Sequence, residues 1–378
     1  MLRIGMLTSG GDCQALNAAM RGVVKALVNS SKEPVEFYGF ENGYQGMIYG
    51  NYRQLTEKDF SGILTRGGTI LGTSRTPFKL LDEPTPEGIN KVEAMKKNYR
   101  KLKLDCLVMG GGNGSTKTAN RLHEEGLNVI ALPKTIDNDT WGTDMTFGFH
   151  SAIEIATKCI DDIHTTASSH GRVFVIEIMG HKVGWIPLYA GVAGGADVIL
   201  LPEIPYDINN VIKVIDERNK RGSRFTIIAA AEGAISVEEA SLKKKHYKQR
   251  IAERTSPSVA YDIAADIINR TDYEVRVAVP GHTQRGGAPC AYDRVFATQV
   301  GVEAARGILA GEYGFMVADK DRQIVRVPLD IVAGRLKTVS PDHQLVQQAK
   351  LMGISFGDEG VEGAVNPILV PKKEKSKK

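Results

Sequence analysis

The sequence predicts an α/β fold with mainly parallel sheets and flanking helices, and three observations carry that prediction. Short apolar runs alternate with stretches of helical period along most of the chain. Glycine-rich or charged turns follow the apolar runs, as they do at the carboxyl ends of parallel strands. The length, 378 residues, is enough for two packed domains.

The elements follow in order. A strand at 3–8 leads into Ser9-Gly10-Gly11-Asp12, and Leu16, Met20, Val23, Val24 and Leu27 predict a helix over 15–27. A strand at 35–40 runs into Asn42-Gly43-Tyr44-Gln45-Gly46, read as a loop. Residues 66–75, RGGTILGTSR, set glycines among hydroxyls and two arginines with no core pattern, a chemistry suited to oxyanions. A charged amphipathic helix occupies 86–103.

The stretch 108–144 is the centre of the chain. A strand enters the turn GGGNGS, a helix runs from 115 to 125 and closes at Gly126, and a strand at 129–132 enters PKTIDND. In such a βαβ unit both turns leave neighbouring parallel strands on one side. Glycines let backbone N–H groups approach a ligand, and the helix start adds a positive dipole end. Asp137 and Asp139 then face the same crevice. A phosphate cradle beside carboxylates points to phosphoryl transfer.

A long helix follows over 144–166, broken at 167–172, and the best domain crossing lies near Phe149. Strands at 173–178, 197–201, 225–231 and 274–280 alternate with helices at 185–194, 208–221 and, mostly helical, 238–268. A helix at 293–309, a strand-like run at 324–328 and a helix at 343–352 complete the chain. Arg172, Arg276, His282 and Arg285 lie at strand edges or turns. Guanidinium groups bind two phosphate oxygens at once, so a phosphorylated substrate is expected beside the donor. Glu232 can accept from a sugar hydroxyl or serve as a structural carboxylate. Neither a Walker A sequence nor a protein-kinase signature is present.

Hydrophobic content of 42% and charged content of 24% belong to a globular chain, and no apolar run is long enough to span a bilayer. The first strand begins almost at Met1, leaving no room for a presequence. Cys13, Cys106, Cys159 and Cys290 lack metal or disulfide spacing, so a cytoplasmic location is expected, with no membrane partner. The net charge of +4 comes partly from KKEKSKK in a basic tail, 369–378, expected to be disordered; no nucleic-acid partner is implied.

GGNGS followed by PKTIDND resembles the GGDGS and PGTIDND blocks of bacterial-type 6-phosphofructokinases. SGGDCQALNAAMRG, RGGTILGTSR, SSHGR, the Met179-Gly180 pair, the AEG turn and VRVAVPGHTQRGG fall in the family's order. The resemblance implies two Rossmann-like domains with the active site in the cleft between them. One would hold 1–149 plus about 284–334, the larger phosphoryl-donor domain, and the other 150–283 plus about 335–368, the smaller sugar-phosphate domain. It also implies transfer of the γ-phosphoryl of ATP to the 1-hydroxyl of fructose 6-phosphate, with Mg2+.

By matching motif, Asp137 would be the base, with Asp139 and Thr135 orienting substrate, and Gly11 and Arg75 stabilising the transferring group. Gly112, Asn113, Gly114 and Ser115 would touch donor phosphates and magnesium, and Tyr44 would lie near the base or donor phosphates. Met179, Gly180, Glu232, His282 and Arg285 match the sugar site, which Thr135 and Asp137 share. Arg172 and Arg276 resemble arginines that arrive from a neighbouring subunit, which implies a homodimer or homotetramer with shared active sites. Arg21 and Arg221 resemble effector-binding arginines, with Lys25, His164 and Asp197 at related places.

Several positions depart from the pattern. Asn113 replaces an aspartate that normally helps hold magnesium; an amide oxygen is the weaker ligand for a hard cation. Lys134 stands where pyrophosphate-using members carry lysine, whereas Gly114 leaves room for a nucleotide's inner phosphate. His181 replaces a common arginine, and GDCQALN replaces GDAPGMN. A filled Gly114 position would exclude a nucleotide, and a lysine only attracts, so ATP is the expected donor. The alternatives are a pyrophosphate-dependent phosphotransferase on the same sugar and a non-catalytic sugar-phosphate-binding paralogue.

Overall fold

The computed structural model describes residues 1–256 and 258–369; of the basic tail, only Leu369 falls within them. The chain forms two compact units: Met1–Ala152 with Arg285–Lys337, and Ile153–Gln284 with the segment from Thr338 onward.

The first unit opens with β1 (Leu2–Ser9), α1 (Leu16–Ser30), β2 (Val35–Phe40), α2 (Tyr44–Tyr49) and β3 (Tyr52–Leu55). It continues through α3 (Lys91–Lys101), β4 (Cys106–Gly111), α4 (Asn113–Glu124) and β5 (Val129–Pro133). Helix α5 (Phe149–His170) carries the chain into the second unit. There follow β6 (Val173–Ile178), α6 (Trp185–Ala193), β7 (Val198–Leu200), α7 (Ile208–Lys220), β8 (Thr226–Ala231), α8 (Val237–Ala240), α9 (Lys244–Ala252), α10 (Val259–Ile268) and β9 (Val275–Ala278). The chain then returns to the first unit with α11 (Ala291–Ala310), β10 (Phe315–Lys320), β11 (Gln323–Pro328) and α12 (Leu329–Val332), and ends its described elements with α13 (Gln344–Leu351) in the second.

The first unit is built on a sheet ordered β11-β10-β5-β4-β1-β2-β3, with the five inner strands parallel and the two edges antiparallel. Inner strands are covered on both faces, which is why β1, β4 and β5 read as continuous apolar runs rather than alternating ones. Their register sets up the site. Ser9 pairs with Gly111, and Gly111 with Pro133, so three turns leave one edge of the sheet side by side. Helices α1 and α11 pack closely because two glycines meet there. A Cβ on Gly22 would lie 2.7 Å from the Thr298 carbonyl oxygen, and one on Gly301 would lie 2.2 Å from that of Ala19.

The second unit has an all-parallel sheet, β7-β8-β6-β9. Ile178 pairs with Ala231, so the turns at Met179 and Glu232 leave it together.

Several boundaries differ from the sequence reading. The loop assigned to residues 42–46 contains the start of α2; Gly46 sits inside it because a Cβ would fall 2.1 Å from the Glu41 carbonyl oxygen. Strands β3 and β10 were not foreseen. Helix α3 starts at Lys91, where the Asn90 side chain accepts from the Glu93 amide, rather than at 86. Helix α4 starts two residues earlier than expected, at Asn113. The long helix starts at Phe149, not 144, because Asp144 N–H donates to the Asp319 carbonyl and Thr143 bonds β10, fixing that stretch beside a strand. Among the described residues no helix is long and apolar enough to cross a membrane.

Candidate functional site

The first glycine turn is held open by its neighbours. Gly10 takes φ +88°, a conformation that favours glycine, and its N–H donates to the Ser74 carbonyl. Loop 66–75 is tied down along its length. Asn17 donates to the Arg66 carbonyl and accepts from the Ile70 amide, Thr8 donates to the Gly72 carbonyl, and Thr73 donates to that of Gly10. Arg75, at the end of this fixed loop, is exposed. Arg285 packs its guanidinium on the bare face of Gly11, where a Cβ would lie 2.8 Å from Nη1, and donates to the Asp12 carbonyl.

The second glycine turn opens α4. Gly112 is its N-cap, and the Thr116 amide and hydroxyl both bond the Gly112 carbonyl. The amides of Asn113, Gly114 and Ser115 are the first-turn donors that an α-helix cannot satisfy internally, an anion-binding arrangement. Gly111 must be bare, since a Cβ would approach Ser115 Cβ to 2.5 Å, whereas nothing lies within 4 Å of a Cβ on Gly114.

Two buried residues support this edge from beneath. Tyr44 is fully buried and its hydroxyl donates to the Ser115 carbonyl at 2.9 Å, so it braces the second turn from the core. Lys134 is also buried, and its ammonium donates to the Gly11 carbonyl. Burial lowers its pKa, against the opposing influence of Cys13, whose own thiol burial pushes up to about 12.

The acidic turn is a constrained one. Thr135 Oγ1 accepts from the Asp137 amide at 3.0 Å, and the Thr135 carbonyl accepts from Thr146 Oγ1 at 2.8 Å. Asn138 takes φ +51° and its amide group bridges Lys337 Nζ and the Asp144 carbonyl. Asp137 is 9% exposed, and Asp139 is half-buried.

In the second unit, Glu232 Oε1 accepts from the amides of Gly180 at 3.2 Å and His181 at 2.5 Å, which closes the turn at Met179. Gln284 accepts from the Met179 amide. Glu232 therefore has a structural duty on one oxygen. His282 is exposed on a short 3-10 turn, Gly281–Arg285. Arg172 and Arg276 converge on one carboxylate: Arg172 Nε lies 2.9 Å from Glu274, and Arg276 also pairs with it. Glu274 brings together two guanidinium groups that the resemblance assigns to a neighbouring subunit's site. Asp197 is committed to Arg218 and the Ile227 amide.

A magnesium ion fits this chemistry in a limited way. Among the described residues no group of three or more His, Cys, Asp or Glu side chains could hold a metal, so most ligands would come from phosphates and water. Asn113 Oδ1 is buried without a hydrogen-bond partner, because Nδ2 is turned to the Arg335 carbonyl at 2.5 Å. That leaves one neutral oxygen available to a hard cation. Lys337, Arg335 and Asn17 escaped sequence reasoning: nothing in GRLK or in one helix asparagine marks a contact with a turn some two hundred residues away in the first two cases or about fifty in the third. A cavity of about 610 Å³, lined by His150, Tyr292 and Phe296 among others, holds none of the sequence-predicted site residues.

Comparison with known proteins matches the family described as Phosphofructokinase to residues 3–308. An ATP-dependent 6-phosphofructokinase of Spirochaeta thermophila is 53% identical over 94% of this chain and 97% of its own. ATP-dependent 6-phosphofructokinase 3 of Bacteroides thetaiotaomicron is 45% identical over 94% of this chain and 100% of its own. The solved phosphofructokinase from Saccharomyces cerevisiae superposes with a TM-score of 0.74 at 30% identity, covering 88% of this chain; the chain spans 45% of that longer one.

Proposed function

The chain belongs to the phosphofructokinase family, and we propose on that premise how its residues perform the ATP-dependent 6-phosphofructokinase reaction. The enzyme is a phosphotransferase of glycolysis. The 1-hydroxyl oxygen of fructose 6-phosphate attacks the γ-phosphorus of ATP, a new O–P bond forms, and the bond to the ADP oxygen breaks. The hydroxyl proton passes to Asp137.

What supports these roles is the alignment of Ser9, Gly111 and Pro133, which sets two glycine turns and the acidic turn on one sheet edge. The α4 amides and the two glycine turns hold donor phosphates, and Arg75 neutralises charge on the transferring group. Thr135 fixes the Asp137 backbone, and Asp139 orients the acceptor. Asn113 Oδ1 would offer one ligand to a magnesium ion, which would supply charge neutralisation on the phosphates. Met179, Gly180, Glu232, His282 and Arg285 take the sugar phosphate, with Arg172 and Arg276 supplied by a partner subunit of a homo-oligomer, and the enzyme works in the cytoplasm.

Lys134 Nζ gives one of its three N–H donors to the Gly11 carbonyl, so the choice of ATP rests on Gly114 and on the ATP-dependent relatives rather than on this lysine. Asp137→Asn should lower kcat by about 10²–10⁴-fold while calorimetry still finds fructose 6-phosphate bound. A variant turning over near the wild-type rate would remove Asp137 as the base. The same coupled assay run with pyrophosphate in place of ATP separates the two donors.

A further inference from the structure

Residues 333–337 are the last of the first unit, and they touch both of its ligand-facing turns. Gly334 takes φ +87°, and a Cβ there would press to 3.2 Å from Lys117 Cε of α4. The Arg335 carbonyl accepts from Asn113 Nδ2, at the start of α4. Leu336 forms an isolated antiparallel bridge with Thr140. The Lys337 amide donates to the Asp139 carbonyl at 2.9 Å. Its ammonium reaches Asn138 Oδ1 at 2.9 Å, the Thr143 carbonyl at 2.9 Å and the Asp144 carbonyl at 2.7 Å, which uses all three of its protons.

We propose that this segment is a strap that fixes the donor loop against the catalytic acidic turn, with Asn113 and Lys337 as its positioning residues. The inference rests on the phosphotransferase reading above and extends it to the Asn113 amide nitrogen and the Lys337 ammonium, both of which bond other protein groups. Asn138 lies between Asp137 and Asp139 and stands at a positive φ that an asparagine tolerates but does not favour. Its side chain is held from two sides, by Lys337 and by the Asp144 carbonyl, so the two flanking carboxylates inherit a fixed backbone. At the other end of the strap, only a side chain with an N–H can bond the Arg335 carbonyl. An aspartate at 113 would set a carboxylate against that carbonyl and lose the bond. The strap thus supplies a reason for asparagine where a metal-binding loop would favour aspartate.

Two views of Asn113 predict opposite results for Asn113→Asp. If it is a metal ligand alone, a harder anionic oxygen should leave kcat unchanged or raise it and reduce the magnesium requirement. If it clamps the strap, kcat should fall by about ten- to a hundredfold with the KM of both substrates within about twofold. Lys337→Met should show the same split. In hydrogen–deuterium exchange without ligands, it should also raise exchange over residues 135–144 while α1 and β1 stay as protected as in the wild type. The double variant should lose less than the product of the single losses, because both changes release one strap.

If Lys337→Met does not fold, Lys337→Arg replaces it, since a planar guanidinium cannot match three acceptors arranged for an ammonium. Unchanged exchange over 135–144, or a loss confined to the KM for ATP, overturns the strap. A wild-type chain with no ATP-dependent turnover would instead overturn the phosphotransferase reading, and the exchange measurement would still decide the strap.

Discussion

The ammonium of Lys134 lies beneath the first glycine turn and donates to the Gly11 carbonyl, so its charge shapes the turn before any ligand arrives. Donor choice then falls on Gly114, the second residue of α4. A Cβ at that position meets no protein atom within 4 Å, so a larger side chain there touches only what occupies the site. Gly114→Asp should fold normally, since a carboxylate in the first turn of a helix interacts favourably with the helix dipole. Its KM for ATP should rise by about tenfold or more, through steric and like-charge exclusion. Steady-state kinetics beside a melting curve checks both halves, and an unchanged ATP KM would remove Gly114 as the determinant. Single residues were legible where a motif fixes their chemistry, as for the two glycine turns. The bracing contact of Tyr44 was not, because its hydroxyl meets the Ser115 carbonyl 71 residues along the chain, which no local pattern records.

At the scale of elements, parallel register does most of the positioning, and it was legible because βαβ units place their turns on one side by rule. The edges were not. Strand β3 is four residues long, and β10 lies directly before its hairpin partner β11, so neither shows a separate period. Glycine at Gly46 masked the short α2 for the same reason. Elements are also joined by buried polar groups that have no pattern at all. Glu203 Oε1 accepts from the Gly184 amide, at the start of α6, and from the Val339 amide, while Oε2 is buried without a partner. Burial pushes its pKa up to about 7 from 4.5, because desolvation penalises the charged form beyond what the backbone donors return. The folded state therefore holds this proton more tightly than the unfolded chain. The stabilisation is fully present below about pH 4.5 and is lost as pH rises towards 7. Glu203→Gln keeps the acceptor oxygen and cannot ionise. Its unfolding free energy should match the wild type at pH 4.5 and exceed it at pH 8 by on the order of 1–3 kcal/mol, read as a higher Tm at pH 8 only. Parallel melting curves at the two pH values would show no divergence if the carboxylate is already ionised in the fold.

At the scale of the whole molecule, the chain leaves the first unit near Ala152, returns at Arg285 and leaves again after Lys337. The interrupted strand pattern put a crossing near Phe149, and the first unit ends its opening stretch at Ala152. The later returns carry no linker composition, since both fall at residues with duties of their own: Arg285 on Gly11 and Lys337 on the acidic turn. Asp137 belongs to the first unit, and Arg172 and Arg276 to the second, where both engage Glu274 of the same protomer. In the homo-oligomer proposed above, those arginines complete a partner's site, and that arrangement makes a quantitative demand. Asp137→Asn protein lacks the base in every site, and Arg276→Ala protein lacks the phosphate clamp in every site, so each alone is nearly inactive. In a mixed pair, one site combines both defects, and the other combines an intact Asp137 with an intact Arg276. Random exchange of subunits in a 1:1 mixture should therefore restore about a quarter of wild-type activity for a dimeric sharing unit. Recovery should track the fraction of mixed species measured by native mass spectrometry. Mixed species that form without any recovery would place Arg276 in its own protomer's site, and the arginines would then have to leave Glu274 to act there.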